Sequence, residues 1–139
     1  MSLSNEERTL IVQMELEKSD RFMEQASLVA EQGMWDLVAN RIFYSVYHAV
    51  LAMFIQDGIE ARTHKGAVLV FGQKYVATGI FDSKWGKLYS KLQDLREKCD
   101  YNLVYISTAE EMNPLIKESK QMIVEIKAHI TTGRPAGNP

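Results

Sequence analysis

At 139 residues, with 46% hydrophobic and 24% charged residues, the chain has the length and composition of one globular domain with a single core. A net charge of −2 excludes a global basic field, so any RNA or DNA contact must use a local patch. The one cysteine, Cys99, excludes an intramolecular disulfide and suits a reducing cytoplasm, the expected location.

The first residues, Met1 to Glu7, are acidic and lack the apolar core of a signal peptide. The longest apolar run, Ile42 to Ile55, is about 14 residues with a histidine inside it, too short for a bilayer, so no membrane contact is expected. Proline occurs only at 114, 135 and 139, and long proline-free stretches with helical apolar spacing predict an all-α protein.

A first helix is expected from Ser4 to Gln32, with Ser4 and Glu7 forming a capping box and Gly33 ending it. Its inward face is read as Ile11, Met14, Phe22, Ala26 and Val29. The second helix, Met34 to Gln56, is apolar most of the way round and so takes the central place, with Asp57-Gly58 as its stop. A shorter helix runs from His64 to Ala77, with Val68, Phe71 and Tyr75 on one side, and Thr78-Gly79 closes it. Asp82 or Ser83 caps the fourth helix, whose seam is Trp85, Leu88, Leu92, Leu95 and Cys99. The fifth helix has two candidate starts. Thr108 with Glu111 resembles a capping box but would put Pro114 inside the helix. Asn113 as cap with Pro114 at the first helical position fits better, giving a turn near 108–112 and a helix from Pro114 to about residue 131. The fold class is thus an up-and-down helical bundle of about five helices, four long and one short. Residues 1–132 form one domain, and 133–139 form a disordered tail.

Chemistry is carried by few residues. No histidine lies three residues after a glutamate and the three histidines fall on separate segments, so no metal or other cofactor is expected. Cys99 sits on an apolar seam, and phosphate loops and serine elbows are absent. Arg41, Tyr44 and His48, at i, i+3 and i+7, share a face of the most apolar helix. Charge there is costly without a partner. Roughly 10 Å of helix rise separates Arg41 from His48, leaving room for a phosphodiester or for a residue from another helix. Arg41 either pairs with a carboxylate of a neighbouring helix, Asp100 being the candidate, or is exposed in a site; His48 is either a hydrogen-bonded core histidine or a catalyst. Arg96 and Asp100 share a face at i and i+4, with Tyr101 well round the helix. Thr63-His64-Lys65-Gly66 opens a helix, either by ordinary capping or as an anion site using His64 and Lys65. Lys84, Lys87, Lys91 and Lys98 form a stripe interrupted by Asp94: a solvated face or a phosphate contact.

In succession, Ala39-Asn40-Arg41-Ile42-Phe43-Tyr44 with Tyr47-His48-Ala49, then Thr63-His64-Lys65-Gly66 with Val68 and Phe71, then Leu95-Arg96 with Asp100-Tyr101, resemble a HEPN domain (higher eukaryotes and prokaryotes nucleotide-binding). The closer likeness is to its small, stand-alone prokaryotic branch. The resemblance covers about residues 10 to 130 and implies an up-and-down bundle, a homodimer, and a neighbouring minimal nucleotidyltransferase in a toxin–antitoxin pair. It also implies metal-independent endoribonuclease chemistry on an Arg-x(4–6)-His string. Arg41 and His48 satisfy that string, and Arg96-x(3)-Asp100-Tyr101 occupies the later position where catalytic members carry theirs. The resulting catalytic candidates are Arg41, His48 and Arg96, with Tyr44, His64, Lys65, Asp100 and Tyr101 as binding candidates for RNA or a nucleotide. The alternative is a non-catalytic nucleotide-binding or protein-interaction module in which Arg41 and Asp100 form a structural pair.

Overall fold

The computed structural model describes residues 3–132, so the expected tail at 133–139 lies outside the described residues. Five α-helices follow one another: α1 (Asn5–Glu31), α2 (Trp35–Asp57), α3 (His64–Phe71), α4 (Ser83–Tyr101) and α5 (Ala109–Thr132). No strand occurs among the described residues, and the chain is an all-α bundle.

Local chemistry sets most of the ends. Ser4 Oγ accepts from the Glu7 N–H while Glu7 returns a bond to the Ser4 N–H, so the capping box forms. Gly58 ends α2 in the left-handed region (φ 73°), where a side chain would be strained. Asp82 caps α4 through the Lys84 N–H.

Two ends differ from the sequence expectation. The third helix stops being α-helical at Phe71 and widens into one π-helical turn, Gly72–Val76. That turn swings Tyr75 into the core, where its hydroxyl donates to Asp57 at 2.6 Å. The last helix begins at Ala109, not at Pro114. Thr108 Oγ1 accepts from the Glu111 N–H, Tyr105 donates its hydroxyl to Glu111, and Met112 is fully buried. Those contacts outweigh the one helical hydrogen bond that Pro114 removes from the second turn.

α2 is the central helix. It packs against α1, α3, α4 and α5 and buries eleven residues, from Val38 to Phe54. Its 23 residues and mean hydropathy of 1.3 over its most apolar window would suit a bilayer crossing, more than the short apolar run suggested, yet most of that window is covered by the other helices.

The inward stripe of α1 also departs from expectation. Val12, Ser19 and Ala26 are buried with Leu16, Met23 and Ala30 packed beside them, whereas Met14 is exposed. The stripe alternates steps of four and three and passes through a serine, which apolar counting skips. Ser19 Oγ donates to the Ser45 carbonyl at 2.7 Å and Ser45 Oγ donates to the Ser19 carbonyl at 2.7 Å, both fully buried. Such reciprocal bonds need two small side chains and closely approaching helices. Ser19→Ala or Ser45→Ala is expected to cost about 1 kcal/mol each. Ser45→Leu should cost more, roughly 1–3 kcal/mol, by forcing the helices apart. Urea unfolding of the three variants checks this order, and a neutral Ser45→Leu would refute close packing at this point.

Candidate functional site

Register carries the α2 face to its partners. Because α1 and α2 run antiparallel and meet at Ser19 and Ser45, the residue four before Ser19 lies near the one three after Ser45. Glu15 therefore faces His48, and its Oε1 lies 2.7 Å from His48 Nδ1. By the same register Phe22 faces Arg41, and its ring also reaches His48, one turn beyond Tyr44 on α2. The Arg41 guanidinium stands 5.1 Å over the Phe22 ring, and His48 stacks parallel to that ring at 5.5 Å. The space between Arg41 and His48 is thus filled by an aromatic ring from α1.

Tyr44 is the hub. Its ring lies 5.9 Å from Phe22, 6.5 Å from His48 and 5.3 Å from His64, measured between centroids. Tyr47 reaches the same two imidazoles, at 5.2 Å from His48 and 4.7 Å from His64. From α4 the Arg96 guanidinium lies 5.0 Å over Phe43 and 5.8 Å over Tyr44. It is 8% exposed, donates to Asp100 Oδ2 at 3.2 Å, and leaves its buried Nε without a hydrogen-bond partner among the described residues. Stacked cation–π contacts of this desolvated kind contribute up to about 2 kcal/mol.

His64 is placed by its own helix start. Thr63 Oγ1 caps α3 by accepting from the Gly66 N–H at 2.8 Å. A Cβ on residue 66 would stand 2.8 Å from that same oxygen, so the cap requires glycine there. Ordinary capping thus accounts for Thr63 and Gly66, and His64 turns its ring onto Tyr44 and Tyr47. Lys65 reaches Glu97 of α4 at 3.8 Å from an exposed position, a contact of little energy.

The structure gathers Arg41, Tyr44, His48, His64 and Arg96 around one aromatic cluster, with Asp100 behind Arg96 and Lys65 at its edge. Tyr101 stands apart, 77% exposed beside the equally open Leu103, Val104 and Ile106. The expected Arg41–Asp100 pair is not formed among the described residues. Asp100 is taken by Arg96, one turn back on its own helix, where the partner costs no interhelical reach. Glu15 belongs to the cluster without having been singled out from sequence, while Phe22 was read only as part of the inward face of α1 and Tyr47 only as part of the family resemblance, neither as a site residue. Glu15 lies in a run of charged residues on a surface helix, and only the serine register reveals what it faces.

Electrostatics follow from burial and neighbours. Burial first, then the charges of Arg96 and His48, push the His64 pKa below its ordinary value, so His64 is neutral at pH 7. Burial, then the Glu15 charge, raises Tyr47 and keeps it a phenol. A carboxylate on His48 Nδ1 can only accept, so the neutral ring carries its proton there and leaves Nε2 for exchange. Burial chiefly, with Asp36 nearby, pushes the Cys99 thiol up to about 11, which removes it as a nucleophile at neutral pH. Among the described residues no group of three His, Cys, Asp or Glu side chains is placed to hold a metal ion.

Two outcomes test this geometry. Arg96→Ala should lower stability by on the order of 2 kcal/mol and Arg41→Ala by about 1 kcal/mol or less, since Arg41 is half-buried on a single ring; equal losses in thermal unfolding would contradict the assignment. His64 binds protons less readily folded than unfolded, so stability is full above about pH 6.5 and declines as pH falls below it. His64→Gln should remove that part of the acid dependence, and an unchanged slope would refute it.

Residues 12–129 match the HEPN domain family. A UPF0332 protein of Archaeoglobus fulgidus is 22% identical over 88% of this chain and 98% of its own length. A Methanocaldococcus jannaschii protein named as a candidate toxin is 24% identical over 84% of this chain and 86% of its own length. A UPF0332 protein of Thermotoga maritima is 22% identical over 87% and 92%.

Proposed function

Because the chain belongs to the HEPN domain family, we propose that the Tyr44-centred cluster is a metal-independent site for RNA, cleaving it by attack of a 2′-hydroxyl on the adjacent phosphate. The observation that carries this reading is the meeting of two imidazoles, His48 and His64, on the Tyr44 and Tyr47 rings, beside the Arg96 guanidinium. In-line transesterification needs a base for the 2′-hydroxyl proton, an acid for the departing 5′-oxygen and a cation for the phosphorane charge. His64, neutral at pH 7, is the base. His48 acts in its imidazolium form, donating its Nε2 proton while Glu15 keeps accepting from Nδ1–H, and so ends the step as the neutral Nδ1–H ring. Arg96 and Arg41 supply positive charge. The new bond joins the 2′-oxygen to phosphorus, the 5′-oxygen leaves with the donated proton, and a 2′,3′-cyclic phosphate remains.

Relatives named as candidate toxins support a setting in which such cleavage arrests growth. In this reading the protein acts as a homodimer restrained by a minimal nucleotidyltransferase encoded beside it. A second reading, a nucleotide-binding module without cleavage, is favoured by the depth of Arg96, whose guanidinium is stacked and already bonded to Asp100.

Purified protein incubated with RNA in EDTA decides between them. Cleavage is expected to leave cyclic-phosphate ends and to fall at least about a hundredfold in His48→Ala and His64→Ala. Binding without cleavage selects the second reading, and cleavage that survives both substitutions places the chemistry elsewhere.

A further inference from the structure

On the side of the bundle where α4 faces α5, a groove of about 620 Å³ opens between the two helices. Lys84, Lys87 and Lys91 of α4, at i, i+3 and i+7, form one wall, and Lys117 stands on the other with Glu118. Lys98 leaves the stripe to lie 5.7 Å from the Tyr105 ring. Trp85, Leu88 and Pro114 supply an apolar floor. Among the described residues none of the four groove lysines has a carboxylate within ion-pair distance, although Lys65 and Lys127 elsewhere do. The groove is therefore a greasy channel with four unneutralised ammonium groups against one carboxylate.

We propose that this groove docks an acidic amphipathic helix of a partner protein, apolar side chains against the exposed Pro114 and the methylene stems of the wall lysines, above the buried Trp85 and Leu88, and carboxylates beside the ammonium groups. Charge complementarity selects the acidic flanks, and the channel between two helices selects a third helix as occupant. Single-stranded RNA fits less well. Trp85 is the only aromatic lining the groove, yet it is 4% exposed, its indole N–H is committed to Glu125 at 2.9 Å, and the Lys84 ammonium lies 4.8 Å over its ring. No open aromatic face is left for base stacking, the main sequence-tolerant contribution to such binding. The groove is lined only by residues of α4 and α5 and by none of the Tyr44 cluster, so this proposal stands whether or not that cluster cleaves RNA.

The test uses a fluorescent synthetic peptide of about 18 residues, with leucines at helical spacing and glutamates on both flanks. Its comparators are the same peptide with lysines for glutamates and a single-stranded RNA oligonucleotide. The glutamate peptide is expected to bind the full chain in a salt-dependent manner, at least about tenfold more tightly than the lysine peptide. Reversal of the wall, Lys84→Glu with Lys87→Glu, Lys91→Glu and Lys117→Glu, should invert that preference. A parallel Lys→Gln set, which carries no new repulsion, should abolish it and stands in should the reversed variant fail to fold. Equal binding of both peptides, or none, overturns the proposal. Tight RNA binding lost on reversal replaces the partner helix by nucleic acid, and a change of oligomeric state on reversal replaces it by a second copy of this chain.

Discussion

The reciprocal hydrogen bonds between Ser19 and Ser45 are the constraint on which the rest depends. Each hydroxyl answers the carbonyl of the other, inside an interface where both side chains are fully buried. The pair works in one register only, since sliding α1 by a turn would bury both hydroxyls without partners, a costly state. Everything contributed by α1 then follows. Glu15 meets His48, Phe22 enters between Arg41 and His48, and the apolar stripe from Val12 to Ala30 covers α2.

α2 answers the cost of carrying an arginine and a histidine in two different ways. His48 is compensated by a carboxylate and a stacked ring, both from α1. Arg41 has no carboxylate among the described residues and is stabilised by the face of Phe22 while remaining half-buried. Arg96 is the deeply buried cation, and the price of that burial is spread over Phe43, Tyr44 and Asp100. The two guanidiniums and the His48 ring are therefore held in different ways around one aromatic hub. His64, arriving from the capped start of α3, completes it and loses proton affinity chiefly through burial and further through the nearby Arg96 and His48.

Away from this cluster the bundle is closed by a second polar network. Asp57 at the end of α2 accepts from Tyr75 and from His129 of α5, at 2.6 and 2.9 Å. One carboxylate thereby ties the π-helical turn and the last helix to the central one. Ser107 is anchored on Asp36 at the other end of α2, which holds the segment between α4 and α5 although Leu103, Val104 and Ile106 stay open to solvent. Both ends of α2 are thus fastened by side chains rather than by apolar packing alone.

Periodicity and capping chemistry are local, so the sequence alone determined the five helices, the central place of α2, the Ser4–Glu7 box, the Thr63 cap and the seam of α4. It also singled out Arg41 and His48, because charge in an apolar stripe is expensive wherever it occurs. Tyr44 was marked because it shares their face, His64 because it opens a helix, and Arg96 through its i, i+4 partner and the family resemblance. What each faces was only partly local. Asp100 turned to Arg96 on its own helix and α5 starts early on contacts among Tyr105, Thr108 and Glu111, both short-range choices between competing local rules. The π-helical turn that buries Tyr75 and the recruitment of Glu15 and Phe22 depend instead on residues distant in the chain. Tertiary structure decided these last two through the serine register and through the bond of Tyr75 with Asp57, which outweigh local propensity when a buried polar group must find its partner.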